Sequence, residues 1–129
     1  MVYNTDESGR WEVYLATFPA FTGRRQISAN GGVQGVWRKD GRELFYLSLE
    51  GELLSVPIKP GLSPEPGIPK VLFRTFISVA AQLDQFAATA DGQRFLVLES
   101  RENAFRPLTV VLDWQAELMT KSVANRPAP

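Results

Sequence analysis

The chain has 129 residues, 14 acidic against 14 Lys and Arg, 44% hydrophobic, with neither cysteine nor histidine. These absences exclude disulfides, thiol catalysis, thiolate metal sites, Ser-His-Asp and Cys-His chemistry, and His general bases. The balanced charge gives no electrostatic case for nucleic acid or for an anionic membrane surface as partner.

The length fits one compact domain on the usual expectation of roughly 100–200 residues. No apolar run approaches the ~20 residues of a spanning helix. The N-terminus, Met1-Val2-Tyr3-Asn4-Thr5-Asp6-Glu7, lacks the basic and apolar regions of a signal peptide. A soluble chain without membrane insertion is expected, and its compartment stays open.

Short apolar or aromatic runs separated by Gly, Pro, Asp and Ser clusters predict strands throughout. In chain order they are Trp11 to Leu15, Glu43 to Leu47, Leu53 to Ile58, Arg94 to Leu98 and Leu108 to Leu112. The stretch from Ser78 to Ala88 also has apolar residues at a spacing that suits a helix, and Gln115 to Met119 suits one helical turn. The fold class is all-β.

An internal repeat bears on the architecture. The run from Gln34 to Leu47 returns as Gln85 to Leu98, with Asp40-Gly41 and Asp91-Gly92 placed 51 positions apart. In each copy a strand enters an Asp-Gly turn, two polar or charged residues follow, and four apolar residues leave. Asp-Gly suits a tight hairpin because Gly tolerates positive φ and Asp can bond nearby amides. The alignment favours a strand over a helix at Gln85 to Thr89. A further hairpin, Tyr46 to Leu54, has its counterpart in Val2 to Tyr14.

Three partly matching units at ~40–50-residue spacing predict an antiparallel β-propeller fragment, one complete four-stranded blade between two partial ones. Residues 1–30 form a partial blade that lacks its inner strand, with strands at Val2–Thr5, Trp11–Ala16 and Arg25–Ser28. Residues 31–76 form the complete blade, with strands near Val33–Arg38, Glu43–Ser48, Glu52–Ile58 and Lys70–Arg74. The Pro- and Gly-rich stretch from Pro60 to Gly67 is its loop. Residues 77–118 form a second partial blade, with strands at Gln85–Thr89, Arg94–Ser100 and Pro107–Asp113. Residues 119–129 are a polar tail, expected to be disordered.

These residues resemble the WD-repeat-like blades of TolB-type six-bladed β-propellers. The signature there is an apolar strand, Ser-Pro-Asp-Gly-(Arg/Lys/Gln), then a strand such as Leu-Phe-Tyr. Here it reads Trp37-Arg38-Lys39-Asp40-Gly41-Arg42-Glu43-Leu44-Phe45-Tyr46 and Thr89-Ala90-Asp91-Gly92-Gln93-Arg94-Phe95-Leu96-Val97, both without Ser-Pro. With Ser8-Gly9-Arg10-Trp11-Glu12-Val13-Tyr14 and the run from Thr109 to Trp114, the set resembles the C-terminal blades of bacterial proteins in which such a propeller follows a serine/threonine protein kinase or another module. The resemblance spans Val2 to about Leu118, and a closed ring would need roughly twice this length. It implies a bacterial, non-catalytic module that binds a protein or peptide partner or senses a ligand. Its alternative is a sensor or scaffold piece of a signalling enzyme such as that kinase.

A kinase Gly-rich loop with its strand Lys, a Gly-x-Ser-x-Gly elbow and a Gly-x-x-x-x-Gly-Lys phosphate loop are all missing. No catalytic, cofactor-binding or metal residue is assigned, and no enzyme activity is expected. Asn4, Asp6, Ser8 and Gly9 match positions one, three, five and six of a calcium loop, but Leu15 stands where its bidentate Glu belongs, so a polar turn is expected. Glu50 and Glu52 flank a turn as solvated charges, and Arg24–Arg25 reads as scattered surface charge. Trp11, Tyr14, Trp37, Phe45, Tyr46 and Trp114 are expected to pack between blades, whereas Tyr3, Phe18 and Phe21 lie nearer strand ends or loops and are expected to be exposed. The stretch Arg101 to Arg106 is a loop of the kind that carries binding residues. Open edges on the first and last blades invite self-association.

Overall fold

A computed structural model describes residues 1–99, and all ten elements in that span are β-strands. The expected strands at Pro107–Asp113, the turn at Gln115 to Met119, the loop at Arg101 to Arg106, Trp114 and the tail lie outside the described residues. The all-β antiparallel class stands. Every strand pair is antiparallel, as hairpins of this length require.

Three sheets follow one another along the chain. The first is β1 (Val2–Thr5), β2 (Glu12–Leu15) and β3 (Arg25–Gln26), paired in that order. The second is a meander of β4 (Val33–Trp37), β5 (Glu43–Leu47), β6 (Glu52–Lys59) and β8 (Lys70–Arg74). The third is the hairpin of β9 (Phe86–Ala88) and β10 (Phe95–Val97). No helix forms at Ser78 to Ala88, and the strand there is shorter than the sequence suggests.

One element departs from the reading of Pro60 to Gly67 as loop. Within it, β7 (Glu65–Pro66) pairs with Ile58 and Lys59 on the edge of β6 that β8 uses farther along. An edge tolerates Pro because its missing N–H is not needed by a further strand. The Gly67 amide closes the excursion on the Pro57 carbonyl at 2.8 Å.

The hairpin turns repeat in atomic detail. Gly41 N–H donates to the Arg38 carbonyl and Gly92 N–H to the Thr89 carbonyl, each at 2.9 Å. Asp40 Oδ1 accepts from Arg42 N–H and Asp91 Oδ1 from Gln93 N–H, each at 3.0 Å. Gly41 and Gly92 lie at φ +69° and +70°, the left-handed region that favours glycine. Asp-Gly is therefore selected twice by the same local chemistry.

The central sheet is covered on both faces. Leu44 and Tyr46 of β5, with Leu54, Val56 and Ile58 of β6, pack against Val13, Leu15 and Ile27 of the first unit. Phe45, Leu47 and Leu53, with Val33 of β4, pack against Phe86, Phe95 and Val97 of the third. Strict alternation puts Leu44 and Phe45 on opposite faces, and a sheet buried on both sides needs an unbroken apolar run rather than an alternating one. Gly35 lets β4 approach the first sheet, since a Cβ there would run into Val2 Cγ2. The sheet is strongly curled, and register shifts at Val33/Val36 and Leu53/Leu54 provide the bends.

The first shift also re-aims a side chain. Gln34 sits at φ +56°, unusual outside glycine, and is buried. Its Oε1 accepts from Gln85 N–H at 2.7 Å and its Nε2 donates to the Phe86 carbonyl at 2.8 Å. The strain is held by a tie from the second sheet to the third.

Phe45 is the joint between the second and third sheets. It meets Phe95 edge to face at 4.9 Å, and Phe95 meets Phe73 at 5.8 Å. Phe45→Ala is expected to cost about 3–5 kcal/mol, read as a lower urea midpoint at unchanged slope. Asp40 is held at about 2 by its hydrogen bond from Arg38, then by the Arg42 amide. The depressed value means that its stabilisation is present above about pH 4 and withdrawn as pH falls towards 2. An NMR carboxyl titration should show that midpoint, and Arg38→Gln should raise it towards the ordinary value.

Candidate functional site

The connection from β2 to β3 folds on itself. Thr17 N–H donates to the Thr22 carbonyl at 3.0 Å, Phe21 N–H to the Thr17 carbonyl at 3.1 Å, and the two threonine hydroxyls share a 2.8 Å bond. A loop stapled at its base presents what lies at its tip with little entropy left to lose. The tip carries Phe18, 72% exposed, and Phe21, 58% exposed, meeting edge to face at 6.1 Å. Phe21 lies at φ +52°, a conformation that a bulky side chain rarely adopts. Exposure at both positions agrees with the sequence expectation.

Beside it in the same unit stands an aromatic and cationic ladder. The β1–β2 register sets Tyr3 opposite Tyr14, with rings stacked at 5.8 Å. Arg24 lies with its guanidinium carbon 4.0 Å from the Tyr14 centroid and 6.0 Å from that of Tyr3. Its Nη1 meets Glu7 Oε2 at 2.6 Å. That bond, donated to Glu7, is the largest cause raising the Arg24 pKa above its ordinary value. Arg24 is thus an ordered contact group rather than a scattered charge, a role that a basic pair in sequence does not reveal. Tyr14 is buried beneath it, and Tyr3 is half-buried.

Of the other aromatics, Phe45 and Tyr46 are buried, and Trp11 and Trp37 pack against the two core clusters. Burial pushes the Tyr46 phenol up to about 12, with Glu12 and Glu52 adding to it. The turn holding Asn4, Asp6, Ser8 and Gly9 closes by a 2.8 Å bond from Gly9 N–H to the Asp6 carbonyl, and Ser8 Oγ donates to the Arg10 carbonyl. Among the described residues no group of three or more carboxylates gathers as a metal site.

One carboxylate escaped the sequence reading. Glu12 is 1% exposed, yet it lies in a strand run where a charge reads as solvent-facing. Its Oε1 meets Arg10 Nη2 at 2.6 Å, while its Oε2 accepts from the Ser28 hydroxyl and from Gly31 N–H at 3.0 Å. Ser28 Oγ in turn accepts from Val13 N–H at 2.8 Å. The group ties β2 to the chain beyond β3, and these donors occupy both its oxygens. It is a fastening rather than a reactive acid.

No family model, no curated protein and no solved structure matches this chain. No helix among the described residues is long and apolar enough to cross a membrane.

Glu12→Ala strands the Gly31 amide and the Ser28 hydroxyl, at about 1–3 kcal/mol for a buried donor left unpaired. Glu12→Gln keeps an acceptor and should cost less. Chemical denaturation of both variants checks the order.

Proposed function

We propose that this chain is a non-catalytic interaction module built from propeller-type blades, resembling the TolB-type rings named above, and that it engages a protein or peptide partner. The observation that carries the binding half is the stapled loop with Phe18 and Phe21 at its tip. Soluble chains rarely hold two large aromatics in water on an ordered turn without use for them, and interfaces enrich aromatic residues and Arg. The Tyr3–Tyr14–Arg24 ladder in the same unit supplies that composition too. Support for the blade half is the four-stranded meander β4-β5-β6-β8 and its two hairpin turns of one geometry. The step from such blades to binding is by analogy of architecture.

The loop suits a partner with an apolar pocket rather than a charged one, since its tip residues Phe18, Pro19, Ala20 and Phe21 carry no charge. Peptides selected from a random displayed library against the purified chain should lose at least about tenfold in affinity for Phe18→Ser/Phe21→Ser, with the far-ultraviolet spectrum unchanged. Binders indifferent to that double variant would sink the assignment of the loop. Turnover of a substrate by the purified chain would sink the non-catalytic reading.

A further inference from the structure

Aspartate or asparagine precedes glycine at three places in the sequence, Asn30-Gly31, Asp40-Gly41 and Asp91-Gly92. Such pairs carry a reaction of their own. The glycine nitrogen can close on the side-chain carbonyl carbon one residue earlier, and a glycine, without Cβ, hinders that approach least. From asparagine the step forms the bond from nitrogen to Cγ, breaks the bond from Cγ to Nδ2, and leaves a five-membered imide. The proton lost by the glycine nitrogen departs with the side-chain nitrogen as ammonia. Water then opens the imide at either carbonyl, giving aspartate or isoaspartate.

The two hairpin aspartates are poor substrates for this step. A carboxylate resists attack by nitrogen, since it would have to expel an oxide ion. Asp40 is held at about 2, first by its bond from Arg38 and then by the Arg42 amide. Asp91 is lowered as well, first by the Thr89 hydroxyl and then by the Gln93 amide. Asn30 carries instead a neutral amide, and it is exposed. What restrains it lies at the attacking nitrogen.

That nitrogen is tied down. Gly31 N–H donates to Glu12 Oε2 at 3.0 Å, and Glu12 is itself fixed by Arg10 and by the Ser28 hydroxyl. The next amide, Gly32 N–H, donates to the Trp11 carbonyl at 2.8 Å. A nitrogen held through its hydrogen on an anchored group is not free to turn towards Cγ. The carboxylate also opposes the loss of the proton that attack requires, because it would face a second negative charge. Nor does the fold accept another residue at position 31. Gly31 lies at φ +94°, and a Cβ there would run into the Leu49 side chain.

We propose that Asn30 is a self-modification site, converted to aspartate and isoaspartate through the Gly31 nitrogen, and that Glu12 is the gate withholding that nitrogen while the first unit is folded. The inference goes beyond the binding reading above and uses neither its loop nor any partner. Both reacting atoms belong to adjacent residues, so the step needs only water besides. An isoaspartyl linkage adds one carbon to the main chain ahead of Gly31 and takes its amide off Glu12, so an opened fastening does not re-form as it was.

The test incubates the full chain at mildly alkaline pH and follows Asn30 by peptide mapping with mass spectrometry, which reads both the mass gain and the isoaspartyl linkage. Conversion in the folded chain should be at least about tenfold slower than in the same chain unfolded in guanidinium chloride. Glu12→Gln, which keeps an acceptor but removes the charge, should convert several-fold faster than wild type, with its far-ultraviolet spectrum unchanged. Hydrogen exchange of the Gly31 amide should quicken in the same variant. Arg10→Gln, which frees Glu12 from its ion pair, serves if Glu12→Gln fails to fold. Equal rates in the folded and unfolded wild-type chain overturn the proposal. So does a folded Glu12→Gln chain that converts no faster than wild type, and a slower one would make Glu12 a base rather than a gate.

Discussion

Everything in this structure hangs on a sheet that cannot be exposed on either side. Leu44, Phe45, Tyr46 and Leu47 are consecutive and all buried, and a strand sends consecutive side chains to opposite faces. Burying each is worth about 1.5–3 kcal/mol, whereas a typical internal hydrogen bond nets about 0.5–1.5. The run therefore dictates that one sheet lie above and another below, before any polar contact is considered. The first and third units answer that demand, each with an apolar face of its own.

Polar groups then fix how the layers sit. Apolar faces slide, because the hydrophobic effect is non-directional; hydrogen bonds do not. Glu12 binds the first unit to the turn leading into β4, through Gly31. Gln34 binds β4 to β9 through two bonds from one side chain. Both groups are buried with their partners in place, the condition under which a buried polar residue specifies an arrangement rather than weakening it. The division of labour is plain: apolar area supplies the drive, and two amphiphilic side chains set the register between sheets.

The parts of the fold that were legible in the sequence are those governed by neighbours in the chain. Asp40-Gly41 and Asp91-Gly92 announce their turns because one aspartate and one glycine supply both the bond and the φ. The strands followed from the same reasoning, with their ends trimmed: Trp11 and Ala16 fall outside β2, and Gln85 and Thr89 outside β9. Illegible features depended on distant partners. Pro66 in a Pro-rich stretch gives no sign of pairing with Ile58, and Gln34 gives no sign of reaching residue 85. Glu12 reads as a surface charge because its burial is produced by Arg10, Ser28 and Gly31 closing around it. For the site, exposure of Phe18 and Phe21 was readable from their place between strands, whereas the ordering of Arg24 on Tyr14 required the β1–β2 register. The likeness to a TolB-type ring rests on the motifs alone, and what the structure adds is the all-β class with antiparallel sheets.

The tie from Gln34 to Gln85 is a long-range contact that only the assembled sheets can make. Within each sheet, most pairing strands are joined by short connections, so their loops close at small entropic cost and on fast timescales. The Gln34 contact spans 51 residues and rewards the chain only after two separate sheets exist to be joined. Because Gln34 must also hold a left-handed backbone to make it, that residue gains nothing from its conformation until the third unit arrives. The glutamine amide thus acts together with the apolar junction of Phe45, Leu47 and Leu53 with Phe86 and Phe95, fixing the position of a contact that the apolar area drives.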